Sequence, residues 1–79
     1  MTIKDKFGVK KKGRDEWLMH QPGGRLDHWS GITEVALYKT LDSALAARRL
    51  EGAKRYAEVV RFTSDKEFSY EVAVASTGG

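Results

Sequence analysis

Few side chains in this chain have the types and spacing that catalysis needs. His20 and His28 are its two histidines. Hairpin pairing can bring them together with Asp27 alongside, and two imidazoles with a carboxylate make a metal-ligand set. Their spacing matches no established ligand motif, so they read as polar hairpin positions, and no metal or other cofactor is expected. Ser30, Ser43, Ser64 and Ser69 lack the G-x-S-x-G turn that exposes a nucleophilic serine. Gly8 and the pair Gly23-Gly24 fit neither a phosphate-binding loop nor a dinucleotide fingerprint. Asp65 and Glu67 fall in a polar turn open to water, where nothing prepares a carboxyl for general acid work. With no cysteine there is no thiolate ligand, disulfide or cysteine nucleophile. The chain is expected not to be an enzyme.

Binding is the chemistry that remains. The net charge of +3 is unevenly spread. Residues 1–14 carry Lys4, Lys6, Lys10, Lys11, Lys12 and Arg14 against Asp5 alone, whereas the rest of the chain is slightly acidic. Such a basic arm attracts phosphate in a salt-dependent way, or simply keeps a chain end soluble. A second cationic group, Arg48, Arg49, Lys54 and Arg55, lies downstream with Glu51 among it. It reads either as a solvated helix face with a Glu51–Arg55 pair or as a ridge of arginines for phosphates or an acidic protein. Trp17 suits the core. Trp29, at a hairpin end near Arg25, is the aromatic residue expected to reach a base or a protein partner. The candidate partner-binding residues are thus Arg48, Arg49, Lys54, Arg55, Trp29 and Arg25. For nucleic acid they are Lys10, Lys11, Lys12 and Arg14.

These residues need elements to hold them. A chain of 79 residues makes one small domain, burying roughly 60% of its unfolded surface, with little room for a deep cavity. Residues 15–76 are expected to form that domain, 1–14 a mobile arm or an edge strand, and 77–79 a tail. Glu16 to His20 reads as a strand, and Gln21-Pro22-Gly23-Gly24 as a type II turn. Arg25 to Trp29 returns as a second strand, and Thr33 to Lys39 is a third. Thr40 is placed to cap a helix, with Asp42 in its first turn. Leu41, Leu45, Ala46, Leu50 and Ala53 share an apolar arc with Arg49 inside it, and Ser43, Arg48, Glu51 and Arg55 face away. Gly52 either ends the helix or sits inside it; the composition favours continuation to Lys54 or Arg55. Tyr56 to Phe62 is a strand. After a polar turn, Phe68, Tyr70, Val72 and Val74 alternate with polar and small residues, predicting a strand with one buried face. The order β-β-β-α-β-β implies an α+β fold: a small antiparallel sheet of about five strands with one helix on one face. No apolar run approaches the roughly 20 residues that span a bilayer, and a cytoplasmic protein is expected.

Val35-Ala36-Leu37-Tyr38-Lys39-Thr40 running into Leu41-Asp42-Ser43-Ala44, then Ala57-Glu58-Val59-Val60, resembles in plan the small accessory proteins of phages and mobile elements, the anti-CRISPR proteins among them. The resemblance spans most of residues 16–75 and rests on the order of elements. It implies a stoichiometric inhibitor in the host cytoplasm, monomeric or weakly dimeric. Such an inhibitor binds a CRISPR surveillance or effector complex, type I before the Cas9 type, and blocks target DNA binding or nuclease recruitment. Several such inhibitors are acidic DNA mimics; this chain is basic and departs from that pattern, leaving Asp65, Glu67 and Glu71 as a local acidic patch. The alternative is a small nucleic-acid-binding module that uses the basic arm and the helix arginines.

Overall fold

A computed structural model describes residues 3–19, 29–50, 52 and 54–76. Among these residues, five strands and one α-helix follow one another: β1 (Phe7–Lys11), β2 (Trp17–Leu18), β3 (Trp29–Ser30), α1 (Leu41–Leu50), β4 (Ala57–Phe62) and β5 (Tyr70–Val74). The strands form one antiparallel sheet in the order β3-β2-β1-β4-β5. The α+β class and the single helix on the sheet agree with the sequence expectation.

The N-terminal segment does not. Far from being an arm or an edge strand, it supplies β1, the middle strand of the sheet. Phe7 and Val9 point to the helix side, where both join the core. Gly8 lets the chain pass close to the other side: a Cβ there would meet Val35 Cγ2 at 3.0 Å and Phe62 Cε2 at 3.2 Å. The lysines of β1 are tolerated because each has a partner. Lys10 sits across from Glu58, 3.7 Å from its carboxylate, with both side chains 12% exposed. Lys11 pairs with Glu16 at 3.5 Å.

Both faces of the sheet are covered, so β4 shows no clean alternation; Ala57, Val59, Val60 and Phe62 are all buried. On one face, Val9, Leu18, Ala57 and Val59 pack against Ala44 and Ala47 of α1. On the other, Trp17, Val60 and Phe62 pack under Ile32, Val35 and Leu37. This covering segment is the expected third strand, Thr33 to Lys39. It opens instead as a 3₁₀ turn over Ile32–Glu34 and then makes two single bridges, Met19 with Val35 and Phe7 with Tyr38. Its carbonyls and amides are divided between β1 and β2, as in the bond from Ala36 N–H to the Leu18 carbonyl. No ladder forms.

Thr40 caps α1 as expected: its Oγ1 accepts from Ser43 N–H at 3.1 Å. The helix stops at Leu50 and does not run on to Lys54 or Arg55. Gly52 takes a left-handed φ of 63° and returns its N–H to the Arg49 carbonyl, a helix-ending arrangement that glycine adopts without steric cost. The buried face is also rotated from the expected arc. Ala44, Ala47 and Arg48 are buried and Leu41 and Leu45 half-buried, while Ala46 and Leu50 are exposed. Small residues can lie closest to the sheet, so the alanine stripe, not the leucine stripe, sets the contact.

β5 departs from expectation as well. Tyr70 and Val72 are exposed, and only Val74 is half-buried. Val59 pairs with Val74 and the next residue, Val60, with Val72, so Ala73 is an extra residue at a bulge. The bulge sends Val74 to the helix face and leaves Tyr70 and Val72 on the other, at the sheet margin. The turn Gln21–Gly24, the residues Arg25, Glu51 and Ala53, and the tail 77–79 lie outside the described residues. No helix among the described residues is long and apolar enough to cross a membrane.

Candidate functional site

One end of the sheet gathers cations from two distant stretches of sequence. β1 and β2 are joined by a tight turn in which Gly13 adopts a φ of 74° and Lys11 N–H donates to the Glu16 carbonyl at 2.9 Å. Lys12, Gly13 and Arg14 form its exposed tip. The link from α1 to β4, turned by Gly52, carries Lys54, Arg55 and Tyr56, all exposed. The two are stitched together: Lys11 stands opposite Ala57 in the ladder, and Lys12 N–H donates to the Tyr56 carbonyl at 2.8 Å.

Two aromatic rings sit under this end. The Lys11 ammonium lies 4.9 Å from the Trp29 ring centroid and 5.9 Å from that of Tyr56. The rings themselves are 6.2 Å apart, tilted by 52°. Cation–π attraction and the Glu16 carboxylate thus hold Lys11 in place. Arg14 also reaches Glu16, at 3.6 Å, yet its side chain stays 74% exposed. Asp15 is engaged elsewhere, accepting from Trp17 Nε1 at 3.0 Å. Among the described residues, the Glu16 carboxylate is shared by Lys11 and Arg14 themselves, and Asp15 is taken up by Trp17. The surface is positive and carries an exposed phenol ring.

The expected site residues divide. Lys11, Lys12, Arg14, Lys54 and Arg55 come together here, although the sequence placed them in two separate groups. Lys10 does not join them; it points to the opposite face, toward Glu58. Trp29 is half-buried against the core and capped by Lys11, so it supports the site and does not present an open ring. Arg49 is exposed in the last turn of α1. Arg48, expected on the outer helix face, is instead 5% exposed and lies between helix and sheet. Its Nη1 donates to the Ala57 carbonyl at 3.4 Å and the Ala75 carbonyl at 3.2 Å, tying α1 to the ends of β4 and β5. It stands four residues after Ala44, one turn along the buried stripe, which is why it goes in. Arg25, His20, His28 and Asp27 lie outside the described residues.

Tyr56 was not among the expected site residues. The sequence reading makes it the first residue of a strand, whereas it is exposed and precedes β4, next to the cations Lys54 and Arg55. At the far end of the sheet the charges are balanced. Arg61 bonds to both Glu71 and Asp5, and the hydrogen bond and charge of Glu71, followed by the charge of Asp5, raise the pKa of the guanidinium further. Among the described residues no group of three or more His, Asp or Glu side chains is arranged to hold a metal ion.

Comparison with known proteins gives no match: no family model, no curated protein and no solved structure matches this chain.

Proposed function

We propose that this protein is a non-enzymatic binding module that holds nucleic acid by its phosphates. The contact surface is the end of the sheet built by Lys12, Arg14, Lys54, Arg55 and Tyr56. The observation that carries the reading is the bond from Lys12 N–H to the Tyr56 carbonyl, which fixes two basic segments side by side on rigid backbone. Cations on an unattached arm bind phosphate loosely; cations on two turns tied by a backbone hydrogen bond keep a closer spacing and lose less freedom on binding. Lysine supplies point charge and arginine forked contacts to phosphate oxygens. The exposed Tyr56 ring offers a stacking surface to an unpaired base.

A salt series tests this directly. Binding of a fluorescein-labelled single-stranded oligonucleotide, followed by anisotropy, is expected to weaken with salt. For four phosphate contacts the log–log slope is about −3. The double variant K12E/R55E is expected to lose most of the affinity. Binding with no salt dependence, or no binding at low salt, would sink the reading.

The inhibitor of a CRISPR effector complex, acting in the host cytoplasm, is the second reading. Arg55 and Tyr56, adjacent and exposed, are residue types that anchor protein interfaces. On this reading the same end docks on a type I complex and obstructs target DNA. Capture of an assembled complex by the tagged protein, with no shift of free DNA, selects it over the module.

A further inference from the structure

We propose that two copies of this chain join edge to edge through β5, about a two-fold axis at Tyr70. This inference is independent of the nucleic-acid reading.

β5 is the last strand in the sheet order. Its backbone polarity is set by its neighbour. Thr63 N–H donates to the Ser69 carbonyl, while Phe62 turns both its groups the other way, to Lys6 and Asp5. An antiparallel ladder alternates in this respect. Tyr70 and Val72, opposite Phe62 and Val60, therefore aim their own N–H and C=O groups at the open edge. Natural edges are blunted by lysine, proline or an inward charge. Residues 68–72, Phe-Ser-Tyr-Glu-Val, contain no lysine or proline, and their one charge, Glu71, is already bonded to Arg61. The bulge at Ala73 lies just beyond this regular stretch.

The side chains explain why the occupant is a second copy. Phe68, Tyr70 and Val72 are 37%, 40% and 51% exposed, and two of them continue an aromatic cluster with Trp17 and Phe62. Pairing about Tyr70 sets Phe68 against Val72 of the second copy, Tyr70 against Tyr70, and Ser69 against Glu71. Aromatic and β-branched residues meet across the strands, as stable pairs do. No like charges stand directly opposite each other in this register, and the Ser69 hydroxyl keeps its bond to Glu67. The strand is complementary to itself, and the pairing extends the sheet while covering its exposed apolar margin.

The chain has no cysteine, so a single introduced thiol reports the register cleanly. A residue on the two-fold axis faces its own copy as a hydrogen-bonded pair, at a Cα separation of about 5.5 Å, within disulfide reach. Y70C is expected to form a disulfide-linked dimer under mild oxidation, well ahead of T33C, an exposed position in the 3₁₀ turn. In parallel, sedimentation of the cysteine-free chain over a concentration series is expected to show twice the chain mass. V72K, checked for folding by circular dichroism, is expected to restore the monomer. A wild-type chain that stays at monomer mass throughout, or Y70C that cross-links no faster than T33C, overturns the proposal.

Discussion

β1 and β5 are each five residues long, and by composition their positions should be exchanged. β1 ends in two lysines and lies in the middle of the sheet; β5 is apolar but for Glu71 and lies at the edge. The difference is in their partners. Each lysine of β1 meets a carboxylate across a strand or turn, and Gly8 admits Val35 and Phe62 to the space beside it. β5 has neither helix nor covering segment over its Tyr70–Val72 margin. Strand order in a small sheet follows the neighbours available to each strand, more than the hydropathy of the strand itself.

The strongest way to break this contrast is to remove β1. Deletion of residues 1–14 is expected to abolish cooperative thermal unfolding, because β2 and β4 both lose their neighbour. A mobile arm would leave the melting transition intact. The truncation therefore cannot separate the nucleic-acid reading from the inhibitor reading, which substitutions at the turn tip can. A smaller effect comes from truncating side chains on the same face of β4 and β5. Phe62→Ala is expected to cost about 3–5 kcal/mol as a fully buried ring. Val72→Ala, half exposed, is expected to cost less than about 1 kcal/mol in chemical denaturation of the monomer. Equal losses would mean that β5 is covered after all. A third test concerns the tie between helix and sheet. Arg48→Ala is expected to cost about 2 kcal/mol, since two carbonyls lose a charged donor. It should leave oligonucleotide affinity unchanged at temperatures where the fold persists. A large loss of affinity with unchanged stability would return Arg48 to the binding surface.

Much of the plan is legible in the sequence, and the exceptions have physical causes. Thr40 is readable as a cap because its chemistry is local, and the last two strands are readable from their apolar content. Arg48 is not. Helical periodicity groups leucines, yet the sheet accepts the alanine side, and only tertiary contact reveals that choice. The Thr33 to Lys39 segment has strand composition but no single neighbour along its length. Val72 and Val74 alternate in sequence, and the bulge then sets them on opposite faces. The candidate site was half legible. The cations stand out, but their meeting at one end depends on β1 pairing with β4, which no local pattern records. Lys10 and Lys11 are neighbours in sequence and point to opposite faces, so the run of lysines overstates the basic surface.

The central place of β1 has a further consequence for how the protein is made. During synthesis β1 meets one neighbour, β2, early, but its longest pairing is with β4, which is made only after α1. Such non-local pairing must meet its loop-closure cost before any contact rewards it. The N-terminal half therefore has no stable stopping point during synthesis, and the fold closes only after Phe62 has been delivered. The basic end, which needs both Lys12 and Tyr56 in place, comes into being in that same late step. Nascent or truncated chains would then carry the charges without the binding surface.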